Sequence, residues 1–325
     1  WDTNDSTAGF GTAGGTWAAP TTNNSTQGWS TNSAGTASLS GTTTTTSADN
    51  LYFGTASSPL SAGTVTVSGT VSANQIYIYS PITLTGGTIT KAFNTSYYIY
   101  SPGVIIDSYV NSGWGHFQGN QSVTISGNFN ASGVIWAQLG SNVITVSGNV
   151  ITTSTANVYG NGILAFTNNS NSFTHAPVVT QSSTIQFTSI ANNGANSSLG
   201  RGSSIILGTN QGGNPTFENV GSGGTSNRSI TLTESTSSTT KTISNNGTGA
   251  LNLSGAVTIN ANAGITTTLG LAGSYAGENT ISSVLGNGGG GGKLAVTKNG
   301  STTWVLSNTN TYTGATTVNA GTLAV

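Results

Sequence analysis

The chain has 325 residues, of which only six are Lys or Arg and seven are Asp or Glu, giving a net charge of -1. Globular domains usually carry charge on about a quarter of their residues. The six cations, Lys91, Arg201, Arg228, Lys241, Lys293 and Lys298, are too scattered to form a basic patch for nucleic acid or an anionic membrane. Disorder is also excluded: hydrophobic residues make up 34% and aromatic residues 8% of the chain, whereas disordered chains pair low hydrophobicity with high net charge.

Cysteine is absent, so there is no disulfide, no thiolate metal site and no signal of compartment. No apolar run reaches the ~18 residues that a membrane-spanning helix needs. A mass of 32.4 kDa suits two or three ordinary domains or one elongated repeat domain. The chain opens on Trp1 and contains no Met, which suggests a processed chain whose secretion signal has been removed. The low charge leaves little repulsion against self-association.

Residues 1–60 carry Trp1, Trp17 and Trp29, half of the six Trp, and a polar run from Thr42 to Thr46. A stacked repeat needs a terminal unit to cover its open edge. This stretch is therefore expected to be an N-terminal cap with the indoles as its small core. From residue 61 onward a phrase recurs: apolar, Thr or Asn, apolar, Ser, Gly, any residue, apolar. It stands at 65–71, 123–129, 144–150 and 251–257. Helix formers are sparse, and Gly and β-branched residues interrupt every window. Strand signals are frequent, as in Ile76-Tyr77-Ile78-Tyr79, Tyr97-Tyr98-Ile99-Tyr100, Thr184-Ile185-Gln186-Phe187 and Ser229-Ile230-Thr231-Leu232.

The apolar runs open at Val65, Ile82, Val104, Val123, Ile144, Ile163, Ile185, Ile205, Ile230, Leu251, Leu269 and Leu294. Successive starts lie about 21 residues apart, within the range of solenoid repeats. Hairpin meanders would instead place strands every 8–12 residues, roughly. The expected fold is all-β: a parallel β-helix, or β-solenoid, over residues 61–325 with about 21 residues per coil. Each coil would hold two or three short strands and pair with the next at about 4.8 Å. Turn residues such as Asn128 and Asn149 are candidates for stacked amide ladders. Residues 321–325 end on a strand in mid-pattern, with no second cap in view.

Catalytic sets are hard to assemble. Glycoside hydrolysis needs two carboxylates about 5–9.5 Å apart, and the acids here are Asp2, Asp5, Asp49, Asp107, Glu218, Glu234 and Glu278. Glu218 and Glu234, with Arg228 between them, are the best candidate pair, against a surface or turn-capping ion pair. His116 follows Asp107, with Ser108 and Ser112 nearby, but nothing resembles a nucleophile elbow. His175 reads as a loop residue, because two His without Cys or clustered acids form no metal shell. The Gly288–Gly292 run lacks the Lys-Ser/Thr ending of a phosphate loop and reads as a turn. The composition by itself generates the Asn-x-Ser/Thr triplets at Asn24, Asn94, Asn130 and Asn246. Neither catalytic residues nor a cofactor or metal site is expected. Tyr77, Tyr79, Tyr98 and Tyr100 alternate on two successive coils and offer an aromatic stripe for glycans or another subunit, with core or interstrand packing as the alternative.

Residues 278–325 resemble the autotransporter-associated β-strand repeat, also called the passenger-associated transport repeat. The resemblance rests on Trp304-Val305-Leu306-Ser307, then Asn310-Thr311-Tyr312-Thr313-Gly314, then Thr316-Thr317-Val318-Asn319-Ala320-Gly321-Thr322-Leu323. The opening Trp1-Asp2-Thr3-Asn4, Gly15-Thr16-Trp17 and Trp29-Ser30 looks like the start of secreted proteins with this repeat. The resemblance implies a right-handed parallel β-helix, secreted or displayed on a bacterial surface, whose repeat serves export and folding and has no catalytic role. No translocator barrel follows in this sequence, which leaves secretion route and anchoring open.

Two non-enzymatic functions are expected from these features. The first is an extracellular scaffold or filament subunit that associates head to tail with its own copies, through Trp1, Trp17 and Trp29 at one end and Leu323 and Val325 at the other. The alternative is an adhesin that binds glycans or host and environmental surfaces. A polysaccharide-degrading β-helix enzyme is the third.

Overall fold

The recurring phrase folds as strand, corner, strand. In the computed structural model, Val123–Ile125 and Phe129–Ala131 are strands, and residues 126–128 turn the chain between them. Val143–Val146 and Val150–Ile151 flank residues 147–149 in the same way, as Leu251–Leu253 and Val257–Ala261 flank residues 254–256. The Gly of the phrase is there because corners of neighbouring coils nearly touch. A Cβ on Gly148 would lie 1.9 Å from the carbonyl oxygen of Gly127. Only a residue without a side chain passes that contact.

The structure describes residues 1–19, 28–30, 32–36, 45–131, 133–151, 156–210, 212–234 and 236–325. Asn24 and residues 42–44 of the threonine run lie outside the described residues. No helix occurs among the described residues, and every strand ladder whose register is given is parallel. The chain divides into two compact units, Trp1–Thr152 and Thr153–Val325.

In the first unit each coil supplies up to three short strands. Inward residues stack one coil upon the next. One column runs Val65, Leu84, Ile106, Ile125, Val146. A second runs Val71, Ile89, Val110, Phe129, Val150, and a third Leu51, Ile76, Tyr97, Phe117, Ala137. All fifteen side chains are buried. Period-two alternation along each strand sends every second residue into this dry shaft and its neighbours outward. Thr16–Ala18, in the stretch expected to cap the helix, is itself a strand and pairs in parallel with Gly63–Ala73.

The second unit repeats the plan, with a core column of Leu164, Ile185, Phe217, Ile243 and Leu271. Here amides enter the core. Phe166 and Phe187 are followed in register by Asn219 and Asn245. The Asn219 amide donates to Asn245 Oδ1 at 2.7 Å, Asn245 to Asn279 Oδ1 at 2.5 Å, and Asn279 to Thr302 Oγ1 at 2.9 Å. In the first unit Asn130 donates to Asn111 Oδ1 at 3.0 Å. Amide ladders therefore occur, at strand positions and not at the turn residues Asn128 and Asn149 expected from the sequence. Asn128 and Asn149 serve through their backbone carbonyls, which accept from Val110 and Phe129.

Coil length is not a uniform 21 residues. In the first unit paired residues are 19 apart at Val104 and Val123 but 25 apart at Asn50 and Gln75. In the second unit they are 21 apart at Ile163 and Thr184, 32 at Thr184 and Thr216, and 28 at Thr240 and Thr268. The even count in the sequence arises because Ile185, Ile205, Leu251 and Leu269 lie in strands of different faces. Extra residues leave the coil at corners, as in 190–203, and rejoin it without disturbing the column.

Four of the six cations point inward to hold such corners. Arg228 is buried and donates to the carbonyls of Leu199 and Gly200 at 2.9 and 2.6 Å. Lys298 donates to the carbonyls of Asn299, Gly300 and Ala320, and Lys241 to that of Gly213 and to the Glu234 carboxylate at 3.3 Å. Lys91 donates to the carbonyls of Asn74 and Ser96 at 2.6 and 2.9 Å. A buried carbonyl without a partner costs about as much as a lost hydrogen bond, and one ammonium or guanidinium satisfies several at once.

Candidate binding face

The outward residues of Asn50–Phe53, Gln75–Ile78, Ser96–Ile99, Gly115–Gly119 and Ile135–Gln138 form one flat surface of the first unit. Its central column is Tyr52, Tyr77, Tyr98, Gln118, then Gln138. The rings of Tyr52 and Tyr77 stack at 4.5 Å and 5°, and those of Tyr77 and Tyr98 at 4.4 Å and 3°. Tyr79 and Tyr100 stack beside them at 4.8 Å. The four tyrosines singled out in the sequence come together on the outer face, where interstrand packing describes their stacking, while core packing applies to their neighbour Tyr97, which is fully buried.

Tyr52 was not foreseen. It precedes Tyr77 by 25 residues, so a fixed period of 21 places it out of register. A second aromatic group flanks the column: Trp136 follows His116 in register, their rings 5.2 Å apart, with Trp114 5.8 Å from His116 and Phe93 4.6 Å from Trp114. Phe93 is 65% exposed. Its signal, a large apolar residue at a turn beside Asn94 with φ of 60°, is too common to be read from sequence.

Electrostatically the face is almost bare. Desolvation among the packed rings, reinforced by the neighbouring phenols, pushes Tyr77 up to about 12 and also raises Tyr79. These hydroxyls stay neutral donors and acceptors, and Tyr77 donates to Gln75 Oε1 at 2.5 Å. Gln118 donates to Ser96 Oγ at 3.2 Å, and Ser96 Oγ lies 3.3 Å from His116 Nδ1. Burial, then the nearby Lys91 ammonium, lowers the His116 imidazole below its usual value. The arrangement combines flat apolar rings with neutral hydroxyls and amides, a chemistry suited to a polar, uncharged ligand.

Beneath this face, burial pushes Lys91 down from 10.5 to about 7. Between those values the unfolded chain holds a proton that the folded chain has released, so stability rises with pH across that window. Below it both states are protonated and the slope vanishes. Urea midpoints should climb from pH 7 to pH 10 in the wild type, with a shallower rise in Lys91→Met. Parallel profiles for the two proteins would show that Lys91 is not the group responsible.

The remaining candidate residues stand apart. Glu218 accepts from Gln186 at 2.8 Å and Asn246 at 2.5 Å, on the outside of its coil. Glu234 is buried against Lys241, Thr236 and Thr239, and Arg228 serves the carbonyls described above. The three make no joint site. Asp107 accepts from Thr85 at 2.7 Å and Ser126 at 3.0 Å, while His116 turns to Ser96 instead of Ser108 or Ser112. Among the described residues no three His, Asp or Glu side chains gather as metal ligands, and no helix is long and apolar enough to cross a membrane. Residues 288–292 form a turn closed by Gly288 N–H to Gly292 O at 2.9 Å. Of the residues expected at the ends, Trp1 and Trp17 are buried, Trp29 and Leu323 half-buried, and Val325 exposed.

Parallel coils, a thin apolar shaft and a neutral aromatic exterior define an all-β solenoid of the β-helix class. The passenger-associated-transport-repeat family matches residues 296–325, a shorter span than the resemblance at 278–325. The protein named "Adhesin BmaC autotransporter" from Brucella suis biovar 1 (strain 1330) is 35% identical over 138 residues, covering 42% of this chain and 4% of that relative. The chain thus spans a small fraction of that relative's length. No solved structure matches it. The chain carries a passenger-associated transport repeat at 296–325 and is similar over part of its length to an autotransporter, and both findings support a secreted chain exposed at the bacterial cell surface.

Proposed function

We propose that the chain is a non-enzymatic, surface-displayed scaffold that adheres to glycans through the tyrosine face of its first unit. The observation that carries this reading is the ladder of Tyr52, Tyr77 and Tyr98, stacked along the outer side of three successive strands with Tyr52 exposed and the other two half-buried. The similarity to a protein named as an adhesin supports it. Residues 1–60 would close the N-terminal edge of the stack and shelter one end of the ladder.

A glycan array probed with the wild type and with the double variant Tyr77→Ala/Tyr98→Ala tests the reading. Retention of a set of glycans by the wild type and its loss in the variant is the expected result. Equal retention by both proteins, or none by the wild type, would defeat it.

Association between copies is a second reading, favoured by the near-zero net charge. Burial of Trp1 and Trp17 leaves Trp29, Leu323 and Val325 as the contacts it would use. A sedimentation coefficient that grows with concentration is its signature, and a constant monomer removes it.

A further inference from the structure

The glycan reading says which face binds but not where on it a sugar ring sits. We propose that the cavity at the Tyr52 end of the ladder is a subsite for a neutral pyranose, with Tyr52 as its stacking platform. This inference rests on the glycan reading and locates its principal contact.

Sugars dock on aromatic rings through the ring face, where a patch of C–H groups meets the π surface. In this ladder most faces are already taken. Tyr77 is covered on one side by Tyr52 at 4.5 Å and on the other by Tyr98 at 4.4 Å, both nearly parallel to it. It presents only an edge and a hydroxyl outward. Tyr98 is covered by Tyr77 on one side and followed in register by Gln118 on the other. Tyr52 differs. Its strand, Asn50–Phe53, begins the sheet, one of its faces is stacked by Tyr77, and the residue is 44% exposed.

Tyr52 also lines a cavity of about 540 Å³ together with Trp1, Trp29, Asn32, Asp49 and Asn50. Small-molecule sites typically measure about 300–1,000 Å³, so the space holds one sugar ring and part of the next. Its polar groups are partly unused. Trp29 Nε1–H is a buried donor with no acceptor. A buried donor left unpaired carries the full cost of desolvation, which a ligand oxygen would relieve. Asp49 accepts from Thr46 N–H and Oγ1–H through Oδ2, at 2.7 and 2.8 Å, leaving Oδ1 to receive a hydroxyl. Asn50 accepts from Asn74 at 2.9 Å through its oxygen and keeps its own amide hydrogens to donate. An indole donor, a carboxylate acceptor and an amide around an open aromatic face match the alternating hydroxyls and C–H patch of a hexose. The carboxylate disfavours acidic sugars.

The test titrates the full chain with methyl glycosides of glucose, galactose and N-acetylglucosamine, and with a methyl glucuronide, following tryptophan emission. At least one neutral glycoside should change the emission saturably, through Trp29 and Trp1, while the glucuronide leaves it unchanged. Tyr52→Ala should weaken that binding about tenfold or more, the loss of one stacking platform, and Tyr52→Phe should retain it. Circular dichroism checks that both variants are folded. If Tyr52→Ala binds like the wild type while Tyr77→Ala/Tyr98→Ala has lost its array glycans, the subsite is refuted and the face stands. Tighter binding of the glucuronide overturns the neutral-sugar assignment. If no glycoside and no array glycan binds the wild type, both readings fall together.

Discussion

Asn245→Ala is expected to destabilise the second unit by at least about 3 kcal/mol, more than a typical point mutation. Asn245 is fully buried and occupies the middle of the amide ladder. Its amide donates to Gly249 O at 2.9 Å and Asn279 Oδ1 at 2.5 Å, and its oxygen accepts from Asn219 Nδ2 at 2.7 Å and Gly247 N–H at 3.1 Å. Alanine would delete four hydrogen bonds at once, each worth about 0.5–1.5 kcal/mol net and not simply additive. Asn279 Oδ1 and Asn219 Nδ2 keep Leu251 N–H and Gly221 O, while Gly247 N–H and Gly249 O lie half-buried at the corner. In a stack where each coil touches only its neighbours, the damage should stay near the lesion. Hydrogen exchange should therefore speed up first in Thr240–Asn245, Leu251–Leu253 and Glu278–Ile281. A urea midpoint within experimental error of the wild type would show that the ladder is ornamental to stability.

Trp17→Ala should have a comparable effect at the other end of the chain. The indole is fully buried, lies 5.5 Å from Trp29 and 6.1 Å from Phe53, and donates to Thr45 Oγ1 at 3.0 Å. Emptying such a site costs about 3–5 kcal/mol. Because Trp29 leans on Trp17 and also lines the Tyr52 cavity, the variant should lose glycoside binding along with the protection of Thr16–Ala18. The strands from residue 63 onward should keep theirs. Unchanged melting together with unchanged glycoside affinity would contradict the packing role assigned to Trp17.

Much of this architecture is legible in the sequence for simple reasons. The Ser-Gly of the recurring phrase marks a corner because Gly127 and Gly148 stand where a Cβ would strike the preceding coil's backbone. Alternation identifies Val65, Ile125 and Val146 as inward, since a parallel stack repeats the same side chain environment at every level. Other features are hidden because they depend on corners, whose lengths vary. The 32-residue step from Thr184 to Thr216 and the 25-residue step from Asn50 to Gln75 break the apparent period, and with it the register that would have revealed Tyr52. Asn245 and Asn279 are indistinguishable in sequence from the many asparagines in turns. Their place in the core follows only from the register with Phe187 and Trp304. Buried lysines are equally invisible, since what attracts them is a set of backbone carbonyls.

That inward placement of Lys91, Arg228, Lys241 and Lys298 shapes what the outside of the molecule can feel. Only Arg201 and Lys293 are left as exposed positive groups. With the buried cations offsetting the exposed carboxylates to a net charge of only -1, the molecule casts little long-range field over an approaching partner, so encounters should proceed at unsteered rates of about 10⁵–10⁶ M⁻¹s⁻¹. Dissolved ions have correspondingly little to screen. Attachment by such a protein should hold equally well in dilute and in saline surroundings, with its strength decided entirely at touching distance.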